Sequence, residues 1–227
     1  MLLSTLPLPD FFKSFYSKFP NLTPVQEKSL QAGLLDNRSL LVCAPTASGK
    51  TLVATIALVN HLQQGHKAIY LVPLKALANE KFREYQELLK DTPYQAVLST
   101  GDLDSESHYL SKYHLLILTT EKLDSLLRHR VSWLSEVKLV IVDEIHLLND
   151  PKRGPTLEVI LTLLKSLLQP QILGLSATIG NPKELAEWLG ATLVQDSWRP
   201  VELKQGIHCK GKTDFYALFG VIPQYAS

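Results

Sequence analysis

Short apolar runs rich in Val, Ile and Leu recur along the chain and constrain its fold more than any other feature. They lie at residues 39–44, 67–73, 94–100, 114–120, 138–144, 171–178 and 191–196. Their apolar residues are nearly continuous, which is typical of strands buried on both faces. Segments with helical patterning separate most of the runs, at residues 51–64, 74–90, 155–168 and 182–189. This alternation predicts an α/β fold with a mostly parallel sheet and helices on both faces, in which ligands bind at the carboxyl ends of the strands.

The length of 227 residues is sufficient for one large domain with a complete core. We expect an N-terminal helical segment over residues 1–36, with a helix at 23–34, followed by the main α/β domain over residues 37–205. Residues 206–227 are expected to form a tail or the start of a linker. One strand is predicted at residues 201–209, and the sequence beyond it carries no pattern that assigns a structure.

Charge and hydropathy exclude some classes of protein. The formal net charge of +1 indicates no chain-wide basic field, so any nucleic-acid binding depends on a local surface. No apolar stretch approaches the roughly 18 residues that a membrane span requires, and the first residues lack the basic start of a signal peptide. We therefore expect a soluble, cytoplasmic protein without a membrane partner, associated with the nucleoid if its source is archaeal or bacterial.

The segment APTASGKT, residues 44–51, follows a predicted strand and opens a predicted helix. In that context backbone N–H groups and the helix N-terminus bind phosphate groups. Lys50 is expected to reach the β and γ phosphates of a nucleotide, and the Thr51 hydroxyl to ligate Mg²⁺. An alanine stands where the strict pattern begins with glycine. The predicted nucleotide-binding residues of this loop are Ala44, Pro45, Thr46, Ala47, Ser48, Gly49, Lys50 and Thr51.

The segment LVIVDEIH, residues 139–146, runs from an apolar strand into two adjacent carboxylates. Taken alone, it also fits a strand that ends at a solvated turn. Beside a phosphate loop, Asp143 is suited to Mg²⁺ bound to phosphates, and Glu144 to polarising the attacking water as a general base. One histidine beside two acids lacks the spacing of a zinc site. We therefore predict Thr51 and Asp143 as Mg²⁺ ligands, and Lys50, Asp143 and Glu144 as catalytic residues of phosphate hydrolysis on a bound nucleotide.

Three of these segments, in order, resemble motifs I, II and III of superfamily 2 helicases: APTASGKT, DEIH (143–146) and SATIGN (176–181). LTPVQ (22–26) resembles the Q motif, residues 71–85 resemble motif Ia, and residues 99–102 and 119–128 resemble the strand-contacting motifs that follow. Within the superfamily, residues 153–158, 187–191 and 198–203 are most similar to the archaeal repair helicases and the helicase domain of polymerase theta. The resemblance covers about residues 19–205. It implies a RecA-like P-loop NTPase domain, the N-terminal motor domain of such a helicase.

The resemblance also implies roles for single residues. Gln26 would read adenine, and His146, Ser176 and Thr178 would couple the nucleotide site to the nucleic-acid groove. Contacts to a nucleic-acid strand would come from Pro73, Lys75, Asn79, Thr100, Gly101, Thr120, Glu121 and Lys122. Several of these residues fit an ordinary helix start equally well. The sequence Thr119-Thr120-Glu121 departs from the commoner Thr-Pro-Glu, which puts the rigidity of that turn in question.

A member of this family would use ATP and Mg²⁺ to move 3′ to 5′ along single-stranded or forked DNA. A second RecA-like domain would supply arginine fingers to the γ phosphate. Since the sequence contains one phosphate loop and one DEIH segment, we expect this chain to be part of a larger protein, to bind ATP weakly alone and not to unwind DNA. Two alternatives remain: an RNA helicase of the Ski-like branch, and a non-catalytic nucleotide-binding module. The presence of Lys50, Asp143 and Glu144 argues against the non-catalytic module.

Overall fold

A seven-stranded parallel sheet forms the centre of the molecule in the computed structural model, which describes residues 1–100, 104–177, 179–201, 205–209 and 212–216. In chain order the strands are β1 (Leu40–Cys43), β2 (Lys67–Val72), β3 (Ala96–Ser99), β4 (Leu115–Thr119), β5 (Val137–Val142), β6 (Gln171–Ser176) and β7 (Thr192–Gln195). Their order across the sheet is β3-β4-β2-β5-β6-β1-β7. Each of the seven apolar runs is a strand, so the predicted α/β fold is confirmed.

Helices connect the strands and cover the sheet. They are α1 (Asp10–Phe15), α2 (Pro24–Gln31), α3 (Lys50–Gln63), α4 (Lys75–Leu88), α5 (Thr120–Arg128), α6 (Gly154–Leu167) and α7 (Pro182–Leu189). The helices predicted between strands are confirmed as α3, α4, α6 and α7. The predicted helix at residues 23–34 ends earlier, because Gly33 has a left-handed φ of 95° and a 3₁₀ turn, Leu34–Asp36, follows. Helix α5 lies outside the segments predicted to be helical.

The side chains of β1 show how the sheet divides the interior into two cores. Leu40 and Val42 pack on one face with residues of α1 to α4, such as Phe12 and Ile56. Leu41 and Cys43 face the opposite side, with residues of α5, α6 and α7. This follows from the alternation of side chains along a strand. Because both faces are covered, every residue of β1 is buried, and each of its leucines contributes about 2 kcal/mol through burial.

The strand order places three chain segments side by side. Strands β5, β6 and β1 are consecutive neighbours in the sheet and run parallel. Their carboxyl ends therefore lie at the same edge, which is where ligands bind in open parallel sheets. The segments that leave these ends are residues 143–146 after β5, residues 177–181 after β6 and residues 44–49 after β1.

The chain after β7 forms a second, separate sheet of two antiparallel strands, β8 (Gln205–Cys209) and β9 (Lys212–Tyr216). The strand predicted at 201–209 is therefore found over its second half, and its residues 202–204 lie outside the described residues. Strand β9 had no counterpart in the sequence analysis. Among the described residues, no helix is both long enough and apolar enough to cross a membrane.

Candidate nucleotide-binding site

The loop at residues 44–49 connects the buried strand β1 to helix α3. Its first residue is tied to the end of β6, because the Ala44 N–H donates to the Ser176 carbonyl at 3.2 Å. Ala47 and Gly49 have left-handed φ angles of 63° and 101°, which turn the chain sharply into the helix. Ser48 is buried, and its Oγ has no hydrogen-bond partner among the described residues. The loop thus presents a helix N-terminus and a polar atom with unused hydrogen-bonding capacity, as an anion site requires.

Lys50, the first residue of α3, folds back over the loop. Its Nζ donates to the carbonyl oxygens of Ala44 at 2.6 Å and Pro45 at 2.9 Å. Burial lowers the pKa of this ammonium group, and the nearby carboxylates of Glu144 and Asp143 partly offset that effect. A partly desolvated cation held by neutral carbonyls favours an anionic ligand, because an anion would restore its charge balance.

The predicted Q motif docks directly on the phosphate loop. Gln26 is 3% exposed, and its Nε2 donates to the Gly49 carbonyl at 3.1 Å while its Oε1 accepts the Thr23 N–H at 2.8 Å. The Thr23 hydroxyl donates to the Ser48 carbonyl at 2.9 Å. A Cβ on Gly49 would lie 2.3 Å from Gln26 Nε2, and the φ of 101° favours glycine, so a larger residue here would strain the backbone and displace the Gln26 amide. Gln26 is therefore fixed beside the loop.

The acidic pair lies where β5 ends. Asp143 Oδ2 accepts a hydrogen bond from the Tyr70 hydroxyl at 2.9 Å, and Oδ1 accepts the Glu144 N–H at 3.0 Å. Glu144 has a left-handed backbone with φ 53° and ψ 43°, which turns the chain out of the strand direction. The two carboxylates lie close enough to Lys50 to offset part of the lowering of its pKa by burial. The structure therefore brings the predicted lysine and the two predicted carboxylates into one site.

Tyr70 is a site residue that the sequence analysis missed. It pairs with Ile141 in the register of β2 and β5, so it lies on the same face of the sheet as Asp143, two residues further on. Its ring is fully buried, and burial raises the pKa of the phenol well above its ordinary value. A tyrosine within an aliphatic strand is compatible with simple packing, and only the strand order shows which carboxylate it meets.

His146 lies between the acidic pair and the end of β6. Its Nδ1 is 3.2 Å from Glu144 Oε2 and 3.4 Å from the Ser176 Oγ. Ser176 is buried, and its backbone carbonyl holds Ala44. These contacts link the segments after β5, β6 and β1 into one hydrogen-bonded chain. Of the three predicted coupling residues, His146 and Ser176 meet, and Thr178 lies outside the described residues.

The residues predicted to contact nucleic acid lie in different settings. Pro73 and Thr120 line one narrow cleft with Asp143, Glu144 and Arg153. Lys75 and Asn79 are exposed on the first turns of α4, where Asn79 Nδ2 donates to the Lys75 carbonyl. Of the remaining predicted residues, the structure leaves Glu121 exposed, Thr100 half-buried and Lys122 buried, and Gly101 lies outside the described residues.

The parallel sheet, the loop around Lys50 and the acidic pair at the same edge of the sheet together define a RecA-like P-loop NTPase domain. The comparison with known families goes further: residues 23–185 match the model of the DEAD/DEAH box helicase family. This chain belongs to that family.

Individual relatives agree with this assignment. The chain is 54% identical over 201 residues to the ATP-dependent DNA helicase Hel308 of Methanocaldococcus jannaschii. The matched region covers 86% of this chain and 17% of that protein. It is 50% identical to Hel308 of Methanococcus vannielii, with 86% of this chain and 26% of that protein covered. Among solved structures, a DUF1998 helicase MrfA bound to DNA is similar with a TM-score of 0.70 and 26% identity, covering 84% of this chain and 30% of that one. The chain therefore spans a minor part of the relatives it matches.

Proposed function

We propose that this chain is the ATP-binding motor domain of an ATP-dependent DNA helicase, and that ATP hydrolysis drives 3′ to 5′ movement along a DNA strand in the complete protein. The observation that carries the proposal is the placement of Lys50, which follows β1, close to Asp143 and Glu144, which follow β5, at the same edge of the sheet. Similarity to relatives named ATP-dependent DNA helicases supports DNA over RNA as the nucleic acid. Residues 37–205 form the ATP-binding unit in this proposal, and residues 1–36 contribute the Q motif.

In this proposal the phosphate loop and the residues around it have defined roles in binding the nucleotide. The backbone of residues 44–49 and the N-terminus of α3 bind the phosphates. Lys50 leaves its carbonyl partners for the β and γ phosphate oxygens, and the Gln26 amide likewise exchanges its contacts with Gly49 and Thr23 for adenine. The Thr51 hydroxyl and the Asp143 carboxylate are hard oxygen donors of the kind Mg²⁺ prefers, so they fit as its ligands. An Mg²⁺ ion held by these two residues would supply positive charge to the phosphate groups.

Glu144 is the general base for the attacking water. Its carboxylate contacts Nδ1 of His146. This contact supports the proposed role of the imidazole, which is to couple changes in the nucleotide site to Ser176. Pro73 and Thr120 share a cleft with the acidic pair, and this proximity supports the proposal that they extend the route to a DNA strand. Lys75, Asn79, Thr100, Gly101, Glu121 and Lys122 complete the proposed contacts.

A second RecA-like domain is a necessary partner in this proposal, because hydrolysis in such motors requires positive charge from outside the phosphate loop at the γ phosphate. The isolated chain is expected to bind ATP weakly and not to unwind DNA. An intracellular location follows from the proposed DNA substrate.

The test is equilibrium binding of a fluorescent ATP analogue to the chain. Replacing Lys50 with alanine removes a charge-assisted contact, which contributes about 1.5–3 kcal/mol, so affinity should fall about 10- to 100-fold. Lys138→Ala is the matched control, because Lys138 is exposed on β5, the strand that carries the acidic pair. Equal affinity of the Lys50→Ala and wild-type proteins would show that the loop is not the phosphate site.

A further inference from the structure

A cluster of buried hydroxyl groups lies behind the acidic pair. Tyr70 of β2 and Tyr85 of α4 are both fully buried, with ring centroids 5.5 Å apart. The Tyr85 hydroxyl lies 3.3 Å from the Thr55 hydroxyl, which in turn donates to the Thr51 carbonyl at 3.0 Å. The cluster therefore contacts the backbone of Thr51 at one end and the carboxylate of Asp143 at the other, and these are the two residues proposed to hold Mg²⁺.

The contact at the Asp143 end involves both carboxylate oxygens. Oδ1 accepts the Glu144 N–H at 3.0 Å, and Oδ2 accepts the Tyr70 hydroxyl at 2.9 Å. Each oxygen keeps a further lone pair for a metal ion. Two donors on different oxygens fix the rotation of the carboxylate group about its bond to Cβ, because turning it would break both hydrogen bonds.

Tyr70 is well placed to impose that orientation. Its backbone is paired on both sides, with Ile117 of β4 and Ile141 of β5, and its ring packs against Tyr85 in the core. The position of the hydroxyl is therefore set by the sheet rather than by the loops of the site. A phenol facing a carboxylate acts as the donor, since an ionised carboxylate can only accept.

We propose that Tyr70 is a positioning residue that orients the Asp143 carboxylate for Mg²⁺. The inference rests on the proposed function, which assigns Asp143 to the metal. Partners that orient a metal ligand through a hydrogen bond typically change metal affinity about 10- to 100-fold when they are removed. Tyr70 thus acts on metal binding through Asp143, without touching the nucleotide.

The experiment measures binding of a fluorescent ATP analogue to the chain, first in EDTA and then across a Mg²⁺ titration. In Tyr70→Phe the Mg²⁺ concentration at half-saturation should rise about 10-fold or more, while affinity for the analogue in EDTA stays at the wild-type value. Tyr85→Phe is the matched control, because it removes a hydroxyl from the same cluster but none that contacts Asp143. It should titrate like the wild type.

Two further variants separate the possible results. Asp143→Asn should abolish most of the Mg²⁺ response, and adding Tyr70→Phe to it should have no further effect, because the two residues act as one unit. Tyr70→Met also removes the hydroxyl and should reproduce the Tyr70→Phe result. It provides the measurement if the phenylalanine variant does not fold.

The outcomes distinguish this inference from the function on which it rests. The role of Tyr70 is overturned if the Mg²⁺ concentration at half-saturation in Tyr70→Phe equals that of the wild type, or if it rises equally in Tyr70→Phe and Tyr85→Phe. Either result leaves the assignment of Asp143 standing. An unchanged titration in Asp143→Asn, or no response to Mg²⁺ in the wild type, overturns the metal assignment and the role of Tyr70 together.

Discussion

Glu144 has a left-handed backbone conformation, with φ 53° and ψ 43°, that residues other than glycine rarely adopt. A left-handed backbone costs an L-residue about 1–2 kcal/mol, and such strain concentrates at functional sites. Here the hydrogen bond from the Glu144 N–H to Asp143 Oδ1 and the bond from the Leu147 N–H to the Glu144 carbonyl hold the conformation. The carboxylate proposed as the general base is thus presented at the expense of local stability.

This conformation predicts that glycine at position 144 is more stabilising than alanine, the reverse of their order within a helix. Glu144→Gly should be more stable than Glu144→Ala by about 1 kcal/mol, because glycine adopts positive φ without the steric cost. The midpoints of urea unfolding at equal slope measure the difference. Glu158, exposed within α6, is the matched control, and there glycine should be less stable than alanine by about 1 kcal/mol. The same order of stabilities at both positions would show that Glu144 is not strained.

At the scale of elements, the start of α6 depends on a close approach of two backbones. A Cβ on Gly154 would lie 2.1 Å from the Leu148 carbonyl oxygen. Leu148 belongs to the 3₁₀ turn Ile145–Asn149, which also carries His146. The missing side chain therefore lets α6 pack against the turn that follows the acidic pair, and keeps His146 near Ser176.

Replacing Gly154 with alanine should destabilise the fold by about 1–3 kcal/mol, since the clash is with backbone atoms that cannot rotate away. Gly180 is the matched control, because a Cβ there would meet nothing within 4 Å, and its alanine variant should unfold like the wild type. Thermal or urea unfolding measures both variants. Equal midpoints for Gly154→Ala and the wild type would contradict the close packing of α6 on this turn.

The elements also show what could be predicted from the sequence. Continuous apolar runs such as LVIV (139–142) predicted all seven strands of the main sheet, because burial on both faces requires such a pattern. Helix α5 was not among the predicted helices, although a helix start fitted Thr120, Glu121 and Lys122, because it begins directly after β4 with no glycine, proline or polar linker to mark the boundary. The contact of Tyr70 with Asp143 depends on the strand order and register of β2 and β5, and local sequence carries neither.

At the scale of the whole molecule, a buried polar contact joins the N-terminal segment to both the sheet and α3. His61 Nε2 lies 2.7 Å from Gln171 Oε1, while Gln171 Nε2 donates to the carbonyl oxygens of Leu34 and Arg38. Since Gln171 Oε1 is the acceptor, His61 carries its proton on Nε2. Burial lowers the pKa of this imidazole, an effect that His66 reinforces and the bond to Gln171 partly opposes.

Stability should therefore depend on pH through His61. The folded state keeps the imidazole neutral, whereas the unfolded chain takes up a proton near the ordinary pKa of about 6.5. The contribution is complete above that pH and is lost as the pH falls below it, with a slope of up to about 1.4 kcal/mol per pH unit. Urea unfolding between pH 8 and 5 measures the slope. It should be shallower in His61→Gln and unchanged in the control His108→Gln, an exposed position; an unchanged slope in His61→Gln would contradict this prediction.

ATP hydrolysis has to be tested in the complete protein, because the proposed motor requires both this domain and a second RecA-like domain. The most direct measurement is single-turnover ATP hydrolysis by the complete protein, wild type against Glu144→Gln, with ATP affinity determined for both. We expect equal ATP affinity and a hydrolysis rate about 100- to 10,000-fold lower in the variant, since a positioned general base contributes a factor of that size. Hydrolysis by Glu144→Gln at a rate close to that of the wild type would contradict the assignment of Glu144 as the base.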